Sequence, residues 1–121
     1  MSAAPAQLLA ELRRLGLRLS DAYPYAHLIG DELREMCPDW WHQYRSDRPE
    51  LAAAPLAQAA SFGFLAYLEE RAEEEEHLRE ELLGRVEEFF LAGEPYLLRE
   101  LENTVGWYRR RREGAVEEEA A

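Results

Sequence analysis

The stretch "RAEEEEHLREELL", residues 71–83, sets four consecutive glutamates before a histidine and contains a Glu-x-x-His pair, Glu74 and His77. Carboxylate-bridged metal sites on helices use this spacing, because side chains at i and i+3 project from one face about a turn apart. Asp39 and His42 in "DWWH" repeat the interval. A bundle site needs two such motifs and further bridging glutamates, all directed inward from facing helices. One alternative reading is therefore a ferritin-like or other metal-binding helical protein, with Glu74, His77 and His42 meeting across a dimer interface.

Helical phase argues against an inward site within one chain. Leu78, Leu82, Val86 and Phe89 mark the apolar face of the helix that carries His77. At about 100° per residue, His77 lies about 140° from Leu82 and Glu74 about 80°. The pair therefore flanks or faces away from the core stripe. A helix start near Glu74 explains the glutamates as negative charge at a positive dipole end, with Glu75–Arg79 and Glu81–Arg85 as i, i+4 ion pairs. Nothing else in the chain suggests catalysis. No serine or threonine sits in a Gly-x-Ser-x-Gly elbow, no glycine-rich phosphate loop is present, and Cys37 follows Met36 and precedes Pro38, with no cationic neighbour to activate it. His27, near Tyr25 and Leu28, reads as a packed histidine. An enzyme is not expected, and no cofactor is called for.

The elements that must position these residues are helical. Leucine dominates the apolar set, and Ile29, Val86, Thr104, Val105 and Val116 are the only β-branched residues, so little favours a pleated sheet. With 121 residues the chain is one domain's worth and can bury a modest core. Leu8, Leu12, Leu15 and Leu19 predict a first helix over 5–19. Leu28, Ile29, Leu33 and Met36 predict a second, stopped at the Cys37-Pro38 step. Asp39 is placed to cap a short aromatic helix with Trp40, Trp41 and Tyr44, and "SDRPELAAAP" reads as a connection. Leu56, Ala60, Phe64 and Leu68 form the stripe of a third main helix, in which Ala59, Ala60 and Gly63 would admit a close neighbour. The stripe loses phase near Ala72 to Glu74, which predicts two helices rather than one long one. Gly93 is expected to end the fourth as a left-handed cap, and Pro95 to open a fifth along Tyr96, Leu97, Leu101, Val105 and Tyr108. Arg109 to Arg112 would then complement its negative end, and 113–121 would form a disordered acidic tail. The expected architecture is all-α: about five amphipathic helices plus the short aromatic one, in antiparallel pairs forming a bundle or solenoid-like stack, with 1–112 as a single domain.

Charge directs attention to partners. The chain carries 25 acidic and 14 basic residues, a net charge of −11, which argues against nucleic acid because that affinity rests on cations neutralising phosphates. No apolar run approaches the ~20 residues of a membrane span, so no membrane partner is expected. A single cysteine and the lack of a charged-then-apolar opening segment point to a cytoplasmic protein. The acids concentrate between Glu69 and Glu88. Such a surface steers a basic partner and raises its association rate, with Glu69, Glu73, Glu76 and Glu80 as candidate contacts and Trp40 and Trp41 as aromatic anchors.

The segment "LLGRVEEFFLAGEPYLLRELENTVGW", residues 82–107, resembles the closing helix pair of a small all-helical bacterial domain of uncharacterised function found among immunity proteins of polymorphic toxin systems. The matching features are Val86 to Glu88, the Gly93-Glu94 break and the apolar helix from Leu97 through Trp107. The resemblance implies packed helix pairs and a binding function, and it supplies no catalytic residues. The resulting expectation is an acidic helical protein-binding protein, possible as a homodimer, in its most concrete form an immunity or inhibitor protein for a basic toxin. A small oligomeric scaffold without ligand is the remaining alternative.

Overall fold

The computed structural model describes residues 4–53 and 57–120. Among them are eight helices and no strand: α1 (Pro5–Arg14), α2 (Leu19–Ala22), α3 (Ala26–Met36), α4 (Pro38–Asp47), α5 (Pro49–Ala52), α6 (Ala57–Glu74), α7 (Glu76–Ala92) and α8 (Pro95–Ala120). The fold is all-α. None of these helices is long and apolar enough to cross a membrane. Six helices are ten residues or longer, and the two single-turn helices α2 and α5 occupy positions read from the sequence as helix end and connection.

Helix α1 opens with Pro5 in its first position, where no amide is needed, and the Gln7 side chain accepts the Ala4 N–H at 3.3 Å. It stops at Arg14, five residues short of the expected end. Gly16 adopts φ +78°, the Leu17 amide donates to Leu12 and the Gly16 amide to Arg13, the two bonds of a Schellman closure. Leu15 and Leu19 keep helical spacing in sequence, but the chain between them has turned. Gly93, by contrast, ends α7 with φ −83°, so the left-handed cap expected there is absent. The Gly93 amide simply completes a helical bond to Phe89.

α6 is the central element and packs on α2, α3, α4, α5 and α7. Its closest neighbour is α3, whose core face is Ala26, Ile29, Gly30 and Leu33 rather than a stripe ending at Met36, which is exposed. Gly30 makes the crossing tight: a β-carbon there would stand 2.2 Å from the Ser61 carbonyl oxygen. Ser61 is buried and its hydroxyl donates to the Asp31 carboxylate. Of the expected α6 stripe, Ala60, Phe64 and Leu68 are buried, whereas Leu56 lies outside the described residues. Ala59 is exposed, and Gly63 meets the Tyr44 hydroxyl rather than a helix backbone.

α8 packs on α1 and α7 through Leu97, Leu101, Thr104 and Val105. The Tyr23 hydroxyl donates to the Leu97 carbonyl at 2.6 Å and joins the start of α8 to the segment between α2 and α3. Helix α8 runs to Ala120, past the point where the acidic tail was expected to fray. Alanine and glutamate are good helix formers, and only Gly114 interrupts them. Arg109 to Arg112 are therefore mid-helix. Two of them reach α1, Arg109 pairing with Glu11 and Arg112 donating to the Arg14 carbonyl at 3.3 Å, while Arg111 stacks on Trp107 of the same helix.

Two glycines on helices give a matched test. Gly30→Ala drives a methyl into backbone and is expected to cost about 1–3 kcal/mol. Gly84→Ala, with nothing within 4 Å of its β-carbon position, is expected to stabilise by about 0.5–1 kcal/mol through lower chain entropy. Urea unfolding of the two variants beside the parent measures both.

Candidate functional site

The acidic stretch folds as a junction between two helices. α6 ends at Glu74, Glu75 is extended at φ −115° and ψ 105°, and α7 begins at Glu76. Glu73 and Glu74 thus stand at the negative end of α6, where acids are unfavourable, while Glu75 and Glu76 stand at the favourable start of α7. Arg79 resolves the conflict by donating to the Ala72 and Glu73 carbonyls, each at 2.9 Å, so it caps α6 from α7. The i, i+4 pairs read from the sequence do not form. Glu75 is outside the helix and pairs with Arg71 at 2.8 Å, and Arg85 approaches Glu88 at 3.9 Å rather than Glu81.

Glu74 and His77 fall on opposite sides of this break, so the Glu-x-x-His spacing does not place them on one helix. Both are exposed, as is His42 on α4. Among the described residues no group of three or more histidine, cysteine or acidic side chains could hold a metal ion. Cys37 is buried, and burial pushes its thiol up from its ordinary value.

Two of the candidate contacts prove to be structural. Glu69 is part-buried and spans the gap to α2: the Leu19 amide donates to one of its oxygens at 2.8 Å and the Ser20 amide to the other at 2.9 Å. These are first-turn amides that α2 itself cannot satisfy. Burial raises the Glu69 carboxyl above the usual carboxylate value, an effect offset in part by the hydrogen bonds from Ser20 and Leu19 and by the charge of Arg18. Trp41 is buried against Phe64, ring centroids 5.1 Å apart, with the Arg34 guanidinium 4.3 Å from its centre. It belongs to the core beside Tyr44 and is not an exposed anchor. Trp40 is half-buried against the same core. Sequence periodicity could not reveal the role of Glu69, whose partners lie about fifty residues away.

Of the remaining candidates Glu73, but not Glu76, Glu80 or Trp40, lines a groove of about 1010 Å³ between α1 and α7, closed at one end by the α1–α2 turn and the end of α6. Its floor is Leu9, Leu12, Ala72 and Leu82, all buried, with Leu83 on α7 left 42 % exposed. Arg18 crosses the closed end to Glu73 at 2.6 Å. Arg13, Arg14 and Glu87 also line the groove, and none has an ion-pair partner among the described residues. At about 100° per residue, Glu76, Glu80, Leu83 and Glu87 fall within about 60° on α7, and Ala6, Ala10 and Arg13 within about 60° on α1. The α7 lip of the groove itself carries Arg79, Leu83 and Glu87 and the α1 lip Ala6, Ala10 and Arg13, while Glu76 and Glu80 continue the exposed face of α7 outside it. Of the floor, Leu12 and Leu82 were read from the sequence as core-stripe residues, whereas Leu9 and the Arg13 lip were not singled out; the Leu8, Leu9 and Leu12 pattern of α1 carried that signal, since it is wider than a single seam.

No family model, curated protein or solved structure matches the chain.

Removing the Glu69 acceptor leaves two amides of α2 unpaired, so Glu69→Ala is expected to cost about 1–2 kcal/mol in thermal or chemical unfolding. The pH dependence has a defined sign. A carboxyl raised in the folded state contributes stability that is complete below the unfolded value, about 4.3, and is lost as pH rises through the higher folded value. Melting temperatures of the parent and Glu69→Gln, followed from about pH 4 to about pH 7, should show the parent falling relative to the variant as pH rises.

Proposed function

We propose that the protein acts by binding a basic protein partner through the acidic face of α7. The observation that supports this reading is the exposed acidic face of α7 itself. Glu76 and Glu80 are exposed and Glu87 half-buried, and no cation pairs with them among the described residues. Elsewhere in the stretch three acids are spent on the fold, Glu69 on α2, Glu73 on Arg18 and Glu75 on Arg71, while Glu70, Glu74 and Glu81 are exposed. Glu73 still borders the groove and adds to its field, whereas Glu69 does not act at the surface.

An array of unpaired carboxylates costs stability through mutual repulsion, and a cationic surface relieves that repulsion on contact. In its most concrete form the protein is a stoichiometric inhibitor, an immunity protein that covers a basic toxin. The resemblance of residues 82–107 to immunity-system domains agrees with this reading: it includes Leu82, Leu83 and Glu87, which line the groove. Acid-lined recognition gives specificity and association rate, while exposed Leu83 adds apolar area at the centre of the charge.

Co-purification from the native host, followed by mass spectrometry, identifies the partner. Its association rate is expected to fall about tenfold or more between about 0.05 and 0.5 M salt, with dissociation changing much less. An association rate insensitive to salt would overturn the acidic-face reading.

A further inference from the structure

Resting on that reading for the acidic face of α7, we infer that a second copy of this chain docks on it, head to tail, with the aromatic and basic face of its α8. At about 100° per residue, Tyr96, Arg99, Glu100, Trp107, Arg110 and Arg111 fall within about 120° on α8, turned from the face that buries Leu97, Leu101 and Val105. Tyr96 is 43 % and Trp107 45 % exposed, the three arginines are exposed, and half-buried Glu100 is the one acid in this set. No carboxylate pairs with these arginines among the described residues. The Arg111 guanidinium lies 4.7 Å from the centre of the Trp107 ring, and Tyr108 meets that ring edge-on, so the indole is held in place as an anchor beside two cations.

The exposed face of α7 carries the complementary parts at the matching spacing. Glu76, Glu80, Leu83 and Leu91 fall within about 80°, and Leu83 and Leu91 are 42 % and 66 % exposed. A β-carbon at Gly84 would meet nothing within 4 Å, which leaves a notch beside Leu83. Arg79, at the edge of this face, is turned back onto the α6 carbonyls. Arg110 and Arg111 stand three and four residues after Trp107, whereas Glu80 stands three and four residues before Leu83 and Gly84, with Glu76 one turn earlier. In an antiparallel crossing, Trp107 of one copy set over Leu83 and Gly84 of another therefore brings Arg110 and Arg111 to Glu80 and Glu76.

The contact joins unlike faces, so it is heterologous, and every pair leaves one α7 face and one α8 face open. The net charge of −11 on each copy opposes approach at long range, but at about 0.15 M salt that repulsion is screened beyond about 8 Å, and inside this distance the two complementary patches decide. One helix face on another is a contact of the small, transient class. Self-association of this kind covers the acidic face until a tighter basic partner displaces the second copy.

The test is the light-scattering mass of the full chain from about 0.01 to about 1 mM, in about 0.15 M salt. The parent is expected to rise above 14.0 kDa with concentration. Two double variants, Glu76→Arg with Glu80→Arg and Arg110→Glu with Arg111→Glu, should each stay at the monomer mass. Mixed in equal amounts, they should form a complex of twice 14.0 kDa that grows no further, because each supplies the face that the other lacks. The four substitutions in one chain should restore association, and Trp107→Ser should weaken it about tenfold or more. All five positions are exposed, and circular dichroism checks that the variants keep their helix content.

A parent that stays monomeric throughout, a mixture that stays monomeric, or a dimer that survives Glu76→Arg with Glu80→Arg overturns the inference. The partner reading is judged separately, by capture of the partner from the native host. Capture that survives Arg110→Glu with Arg111→Glu and is lost with Glu76→Arg and Glu80→Arg upholds that reading even where the parent is monomeric. Capture unaffected by Glu76→Arg with Glu80→Arg sinks that reading, while complementary mixing of the two variants would still uphold the contact between copies.

Discussion

The fold depends first on how closely α3 and α6 cross. With no side chain at Gly30, the α3 backbone rests on the Ser61 carbonyl, and α6 then packs on α2, α4, α5 and α7 as well. A tight crossing at this point leaves no space for rearrangement, because packed interiors behave as close-packed solids. Trp41, Tyr44, Phe64 and Tyr67 fill the volume on one side of α6, and Leu65, Leu68 and Ala72 carry the contact toward α7. The Tyr67 hydroxyl donates to Asp47 at 2.5 Å at the edge of that cluster, and the bond holds the Asp47 carboxyl below its ordinary value.

A second set of polar contacts gathers where four helices begin or end. Glu69 holds the first amides of α2, Arg79 holds the last carbonyls of α6, and Arg18 and Glu73 join the two across the gap. Each contact satisfies backbone groups or charges that a helix terminus leaves open. Because these contacts are made across helices, the junction fixes the separation of α1 and α7 without filling the space between them. The groove is thus a product of helix-end chemistry, and its lips carry the charges that the junction does not consume.

Much of the architecture was legible from local pattern. The near absence of β-branched residues indicated helices, the Cys37-Pro38 step ended α3, Pro95 opened α8, and the loss of phase after Leu68 located the α6–α7 break within a residue or two of Glu75. What escaped were features decided at a distance or by backbone conformation. The Leu15–Leu19 interval looked helical although Gly16 turns the chain between them, and the left-handed glycine was sought at Gly93 instead. Glu69 and Arg79 looked like members of a solvated charge run, because the amides and carbonyls they satisfy belong to other elements. The paired tryptophans looked alike in sequence, yet only Trp41 reaches the core fully, since the two point about 100° apart on α4.

The length of α8 beyond its packing has a consequence of its own. Among residues whose burial is described, none after Val105 is buried, yet the helix continues to Ala120, fifteen residues further. Among the described residues its distal half meets α1 through Glu11–Arg109 and the Arg112 bond to Arg14, contacts of the surface kind that contribute little. Helix formation is cooperative but marginal for a short segment whose described residues are exposed. One continuous helix therefore spans two regimes of protection: amides near Leu101 open only when the core opens, and those of the exposed stretch 109–113 open without it. Amide exchange along this single element would descend in steps rather than as one plateau.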